Sequence, residues 1–197
     1  MTQDGQCLDS ADYNYSVKSI APGFNEQNPS DWIDALRASM GKLKNRNASA
    51  IESLKAIGIA GHMHGATLLD KNGEILHPCI LWNDTRSYKQ ASILDKDVNL
   101  REITGNIVFP GFTAPKLLWI KNNKPELFEQ VAKVLLPASY LGYYLTGEFF
   151  MDMSDAAGTS WLDVGNRCWS EYALKASNMR SDQMPKLLEG TQVASSI

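Results

Sequence analysis

Apolar positions recur at helical spacing in some parts of the chain and in short continuous runs in others, and this pattern predicts a mixed α/β fold. The clearest helix signal lies near residue 28. Asn28 can cap a helix, Pro29 suits the first helical position and Asp31 suits the first turn. Apolar residues then recur at helical spacing, which predicts a helix that ends near Lys44.

Short apolar runs predict the strands of a central sheet. The run at residues 54–60 is expected to be a buried strand because it is apolar throughout its centre. Asn72-Gly73 predicts a tight turn, since both residues tolerate positive φ. The predicted strands are residues 13–20, 54–60, 66–69, 74–76, 79–82 and 134–136.

The second half of the chain is predicted to be mainly helical. Helices are expected to begin at Asp84 or Thr85 and at Thr113, and to cover residues 125–132, 139–145 and 169–176. Strands and helices in this order predict one α/β domain with a central sheet over residues 1–197. A chain of this length can bury a substantial core.

The composition narrows the class of partners. Hydrophobic residues make up 44% of the chain, charged residues 21%, and the net charge is −3, as in ordinary globular proteins. No basic block indicates nucleic-acid binding, and no apolar run is long enough for a membrane span. The three widely spaced cysteines favour reduced thiols in a cytoplasmic protein over disulfides.

Polar side chains follow two of the predicted strands. Met63 and His64 lie in a loop bounded by glycines, directly after the run at residues 54–60. Open α/β sheets bind ligands at such strand ends, so His64 is a candidate for hydrogen bonds to a hydroxyl group, with Met63 as an apolar wall. The alternative is that His64 is a structural histidine. A metal site at His62, His64 and His77 is disfavoured, because no carboxylate or thiol completes the set.

A second cluster follows residues 79–82. Trp82 can pack on the C–H face of a sugar while the neighbouring Asp84 binds hydroxyl groups. Equally, Trp82 can be a core residue and Asp84 a helix cap. Residues 154–159 lack the Gly-Lys-Ser/Thr end of a phosphate loop, and helix capping by Ser154 or Asp155 is their simpler interpretation.

Several motifs taken together resemble xylulose kinases, members of the carbohydrate kinase family that also includes glycerol and gluconate kinases. The resemblance extends from about Gly5 to Gly190. It is carried, in order, by IGIAGHMHGATLLD (57–70), ILWNDTR (80–86), ITGN (103–106), PGFTAPKLLW (110–119), MDMSDAAGT (151–159) and WLDV (161–164).

The resemblance implies an actin-like, ribonuclease-H-like domain, one of two that close over sugar and MgATP. It implies that Met63 and His64 contact xylulose, that Trp82 walls the pocket and that Asp84 is a nearby supporting residue. Gly111 stands where glycerol kinase places a bulkier side chain, which suggests room for a pentose. Ribulose, gluconate or another polyol remain alternative substrates.

The chain also departs from the family pattern. The phosphate loop, the nucleotide-binding C-terminal domain and the aspartate expected as catalytic base, in a Gly-Gly-Gly-Asp-Asn stretch, have no counterpart in residues 1–197. We therefore expect residues 1–197 to supply part of a sugar site and to contain no catalytic, metal-binding or cofactor-binding residue. ATP and Mg²⁺ would belong to a full-length parent, and this chain would be inactive alone.

Two further expectations follow from the same departures. A non-catalytic sugar-binding or regulatory domain is the alternative function. Because the family's first strand has no counterpart, a sheet edge is expected to be exposed and to support self-association into homo-oligomers.

Overall fold

The computed structural model describes residues 1–196 and has the predicted α/β architecture. Its strands in this range are β1 (Lys18–Ala21), β2 (Phe24–Gln27), β3 (Thr67–Leu69), β4 (Cys79–Ile80), β5 (Lys133–Leu135), β6 (Phe150–Asp152), β7 (Leu162–Asp163), β8 (Cys168–Trp169) and β9 (Lys186–Leu188). Its helices are α1 (Pro29–Arg46), α2 (Ala48–Glu52), α3 (Tyr88–Leu94), α4 (Val98–Thr104), α5 (Thr113–Asn123), α6 (Pro125–Gln130), α7 (Pro137–Thr146), α8 (Met153–Ala157) and α9 (Glu171–Ala176), with a 3₁₀ turn at Ser181–Gln183.

Within residues 1–196 the strands form four small groups, three antiparallel and one parallel. Strands β1, β2 and β4 form one sheet, and β3 pairs with β5. A single bridge between Ala66 and Ile80 links the two groups. The remaining pairs are the parallel pair β6–β9 and the antiparallel hairpin β7–β8.

Helix α1 confirms the strongest helix prediction. The Asn28 side chain accepts a hydrogen bond from the Ser30 backbone N–H at 3.2 Å, and Pro29 opens the helix. Trp32 and Ile33 form its buried face, and the Trp32 ring meets the Tyr140 ring of α7 edge to face at 6.2 Å. The apolar spacing therefore predicted which side of α1 is buried.

The predicted strand at residues 54–60 is wrong. The segment has no regular secondary structure, and Leu54 and Ile57 are about half exposed. Within residues 1–196 the backbone of Lys55–Ala60 pairs with no other segment. An apolar sequence favours a strand only where a neighbouring strand satisfies its backbone groups, and none does so here.

Other predicted boundaries shift by a few residues. Of the strand predicted at residues 13–20, only the part from Lys18 onward is formed, as β1. In place of the strand predicted at residues 74–76, Ile75 forms an isolated bridge with Leu69. Helix α3 begins at Tyr88 instead of Asp84 or Thr85. The reason is that the Asp84 carboxylate accepts hydrogen bonds from Arg86, which holds residues 84–86 in a turn.

The principal core lies between the β3–β5 pair and helix α5. Leu117 and Ile120 on α5 are fully buried against a cluster that includes Leu68, Val134 and Trp161. Helix α5 begins at Thr113, as predicted, directly after the Gly111-Phe112 pair. The core therefore fixes the first turn of α5 beside the loop that carries His64.

Residues 1–196 contain no helix that is long and apolar enough to cross a membrane. Cys7 and Cys168 are exposed, Cys79 is buried, and all three thiols are free. The cytoplasmic location predicted from the cysteine pattern stays a prediction.

We propose that the chain self-associates through the exposed apolar segment at residues 54–59. This segment lines a groove of about 920 Å³, together with Leu145, Phe150 and Leu188. Unpaired backbone beside exposed apolar side chains favours strand pairing with a second copy. The edge strand β1 is also exposed along its whole length.

Sedimentation velocity tests this proposal. We expect the chain to form dimers or larger species whose fraction rises with concentration, and Ile57→Lys to shift them toward monomer. Val98→Lys is the matched control, because Val98 is 64% exposed on α4 and lies outside the groove. A monomer at every concentration would contradict the proposal.

Candidate functional site

The His64 side chain is held in one orientation at the end of its glycine-bounded loop. Its Nδ1 lies 2.7 Å from the Gly158 carbonyl oxygen. A carbonyl oxygen only accepts, so Nδ1 carries the proton and donates. In a neutral imidazole Nε2 is then an acceptor, which suits a hydroxyl donor from a ligand.

Gly158 and Phe112 shape the surroundings of the His64 ring. A Cβ atom on residue 158 would lie 2.4 Å from His64 Cε1 and 2.5 Å from Nδ1, so only glycine fits without moving the ring. The Phe112 ring lies over the His64 ring at a centroid distance of 4.5 Å. These two contacts leave the imidazole little freedom to rotate.

Burial favours the neutral form of His64. Desolvation lowers the pKa of His64 below its ordinary value near 6.5, and the nearby positive charge of Lys116 lowers it further, although the Gly158 hydrogen bond opposes both effects. His64 is therefore a neutral hydrogen-bonding group near pH 7.

Trp82 and Gly111 form the second part of the site. Trp82 is 54% exposed at the end of its strand, and Met63 is 55% exposed, so both present free apolar surface. A Cβ on Gly111 would lie 2.3 Å from the Trp82 carbonyl oxygen. In this structure the missing side chain at position 111 thus permits close backbone packing on Trp82. Because Phe112 follows directly, the pair at 111–112 connects the Trp82 backbone to the His64 ring.

Asp84 lies beneath this surface and is engaged by other groups. It is 1% exposed. Its carboxylate accepts from the Arg86 guanidinium at 2.7 to 3.0 Å and from the Asn25 backbone N–H at 2.7 Å. Arg86 also pairs with Glu26 at 2.7 Å. These contacts engage the Asp84 carboxylate within the protein, and its supporting role at a sugar site stays a prediction.

Asp155 is the second carboxylate near the His64 contacts, three residues before Gly158. Desolvation, and secondarily the charge of Asp152, raise the pKa of Asp155 to about 7. The Asp155 backbone N–H donates a hydrogen bond to the Asp152 side chain at 3.1 Å, and Asp152 is therefore the N-cap of α8. Capping by Ser154 or Asp155, the sequence interpretation, is therefore wrong, because the carboxylate of Asp152 lies directly before the first helical turn.

The three histidines lie in separate surroundings. The His62 ring packs edge to face on Trp32 at 5.4 Å, whereas His77 contacts Lys124 at 2.6 Å. Within residues 1–196 no group of three His, Cys, Asp or Glu side chains is arranged to hold a metal ion.

Sequence reasoning missed three contributors to the site. Phe112 and Gly158 both lie within quoted motifs, yet only tertiary structure shows their contacts with His64. Lys116 is fully buried and donates to the His64 carbonyl oxygen at 2.7 Å. The only signal for Lys116 in the sequence is its place directly before two leucines. That signal does not predict burial, because lysines are rarely buried.

The arrangement suits a small polyhydroxylated ligand. Met63 and Trp82 offer apolar surface for C–H groups, and His64 Nε2 offers an acceptor for a hydroxyl group. The fold defines the class of protein, an α/β domain of the actin-like ATPase kind. The chain belongs to the FGGY family of carbohydrate kinases, and the model of the family's N-terminal domain matches residues 1–197.

The relatives of this chain include xylulose kinases. It is 44% identical to a xylulose kinase of Escherichia coli (strain K12) over 198 residues, covering 100% of this chain and 40% of that protein. A xylulose kinase of Klebsiella pneumoniae is 45% identical over 98% of this chain and 40% of its own length.

Solved structures support the same fold. The crystal structure of a "xyloylose kinase" from Brucella ovis matches with a TM-score of 0.98 and 47% identity, covering 99% of this chain and 40% of that one. Gluconate kinase from Lactobacillus acidophilus matches with a TM-score of 0.86 and 25% identity, over 97% and 39% of the two chains. The chain therefore spans about 40% of the length of the relatives it matches.

Proposed function

We propose that this chain supplies part of the sugar site for ATP-dependent phosphorylation of D-xylulose to D-xylulose 5-phosphate. The observation that carries the proposal is the fixed His64 ring, whose Nε2 is left as an acceptor, together with the exposed side chains of Met63 and Trp82. Kinship with xylulose kinases supports xylulose over ribulose, gluconate or another polyol.

Each exposed residue has a role in this proposal. His64 Nε2 accepts a hydrogen bond from one sugar hydroxyl, and Trp82 packs on the C–H face of the sugar. Met63 adapts to the remaining apolar surface because its side chain is flexible. Gly111 lets the backbone at Phe112 approach the Trp82 carbonyl oxygen, and Asp84 supports the segment after Trp82 by holding Arg86.

We also propose that the isolated chain binds sugar weakly and does not phosphorylate it. The motifs that resemble the family in this chain are those of the sugar site, and none of them is the family's phosphate loop or its catalytic aspartate. The Asp84 carboxylate is engaged by Arg86, which removes it as a base. We therefore expect the isolated chain to bind sugar in an open site. Its affinity should be low because the bound sugar stays partly solvated.

Titration calorimetry with D-xylulose, together with a turnover assay in MgATP, tests this function. We expect weak binding, with a Kd in the range of about 1–10 mM, and no turnover. His64→Ala and Trp82→Ala should each weaken binding about 5-fold or more, since each removes a direct contact worth about 1 kcal/mol. Tyr88→Ala is the control, because Tyr88 is 59% exposed and lies on α3.

The pH dependence of binding follows from the neutral state of His64. Affinity should be constant between pH 7 and 8 and fall as the pH drops below the ordinary His pKa near 6.5, because protonated Nε2 is no longer an acceptor.

Absence of binding by the chain would contradict the sugar site. Turnover that is lost in Asp155→Asn would instead contradict inactivity and identify Asp155 as the base.

A further inference from the structure

The His64 backbone adopts a conformation that needs support. Its φ is 63°, in the left-handed region that residues with a Cβ seldom occupy. The conformation determines both where the His64 carbonyl points and where its ring points, since both are attached to the same Cα. A group that fixes the carbonyl therefore also fixes the direction in which Cβ leaves the backbone, and the Gly158 and Phe112 contacts then limit the rotation of the ring.

Two donors from the first turn of α5 meet the His64 carbonyl oxygen. Lys116 Nζ lies at 2.7 Å and Thr113 Oγ1 at 3.2 Å. The ring is held at its other end by Gly158 and Phe112. His64 is thus fixed from both the backbone side and the ring side.

The environment of Lys116 is unusual for a lysine. Its side chain is fully buried, and within residues 1–196 it forms no ion pair and no side-chain hydrogen bond other than that to His64. Burial lowers the pKa of Lys116 to about 7. Burying an ammonium group without a carboxylate partner is unfavourable, and an apolar side chain of similar length would fill the same space.

We propose that Lys116 is a positioning residue, which holds the His64 backbone in its left-handed conformation and so directs Nε2 toward the sugar. Thr113 assists through the same carbonyl oxygen. This inference rests on the proposed function for its sugar-binding consequence, but the conformation of His64 itself is independent of any sugar.

Lys116→Met is the primary test, because methionine fills the space without donating a hydrogen bond. We expect the folded variant to lose the ¹⁵N chemical-shift pattern of an Nδ1-protonated His64 ring and to show averaging between tautomers. Its affinity for D-xylulose should fall by up to about 5-fold, as in His64→Ala, because the oriented hydrogen-bonding group is lost. Lys175→Met is the matched control, since Lys175 is exposed on α9.

The His64 spectrum is recorded without sugar, so the inference and the proposed function can fail separately. Wild-type chain that shows the Nδ1-protonated pattern but binds no xylulose would contradict only the proposed function. A folded Lys116→Met variant with an unchanged His64 spectrum would overturn the inference. If Lys116→Met fails to fold, Lys116→Leu removes the same donor with a shorter apolar side chain. An unchanged His64 spectrum in folded Lys116→Leu would then overturn the inference.

Discussion

Replacing Arg86 with methionine should lower the free energy of unfolding by about 3–5 kcal/mol, the range for breaking a buried ion pair from one side. The guanidinium lies between the Asp84 and Glu26 carboxylates, at 2.7 Å from each, and all three side chains are buried. Methionine would leave both carboxylates buried without a cation. The flat faces of Arg86 also pack against Phe24 and Trp119, at 4.2 and 5.1 Å from the ring centroids.

Urea unfolding followed by circular dichroism measures this loss. Arg180→Met is the matched control: Arg180 pairs with Asp182 at 3.0 Å, but both side chains are more than 60% exposed. An exposed pair of this kind contributes less than about 1 kcal/mol. Equal losses in the two variants would contradict the structural role given to Arg86, and with it the supporting role given to Asp84.

Gly111→Ala should disturb both stability and the sugar surface. The added methyl group would lie 2.3 Å from the Trp82 carbonyl oxygen, and a backbone atom has no rotamer by which to move away. We expect a loss of about 1–3 kcal/mol, as for other overpacked sites. Trp82 should shift with its backbone, so the affinity for D-xylulose should fall as well.

Urea unfolding and a D-xylulose titration of the same sample check this prediction. Gly41→Ala is the control, because Gly41 lies within α1 with no atom near its missing Cβ. Alanine there should raise stability by about 0.5–1 kcal/mol, as expected at an unstrained helical position. A Gly111→Ala chain with unchanged stability and affinity would show that position 111 does not hold Trp82.

Elements that depend on nearby residues were predictable from the sequence. Helix α1 begins at the Asn28 cap and α5 at Thr113, as the local patterns predicted. The turn before Gly73 also forms, with a φ of 82° at that glycine. Capping, fixed φ values and helical apolar spacing act within a few residues, so the sequence contains most of what determines them.

Features that depend on distant residues were not predictable in the same way. The strand predicted at residues 54–60 failed because pairing requires a neighbour that the pattern does not reveal. The burial of Arg86 and Lys116 runs against the ordinary preference of charged residues for solvent. Arg86 pairs with Glu26, 60 residues away along the chain, and Lys116 bonds to His64, 52 residues away. Strand-end position and family resemblance both pointed to Met63, His64 and Trp82, whereas only the structure shows which groups hold the His64 ring.

Site-resolved NMR of the chain during a D-xylulose titration tests the central claim, that these residues form a sugar site, most directly. We expect the Met63 methyl, His64 ring and Trp82 indole signals to shift together along one saturable curve. The methyl signal of Met1, which is 82% exposed, should stay unchanged. The three signals remaining in place up to about 100 mM sugar, well above a millimolar Kd, would contradict the account.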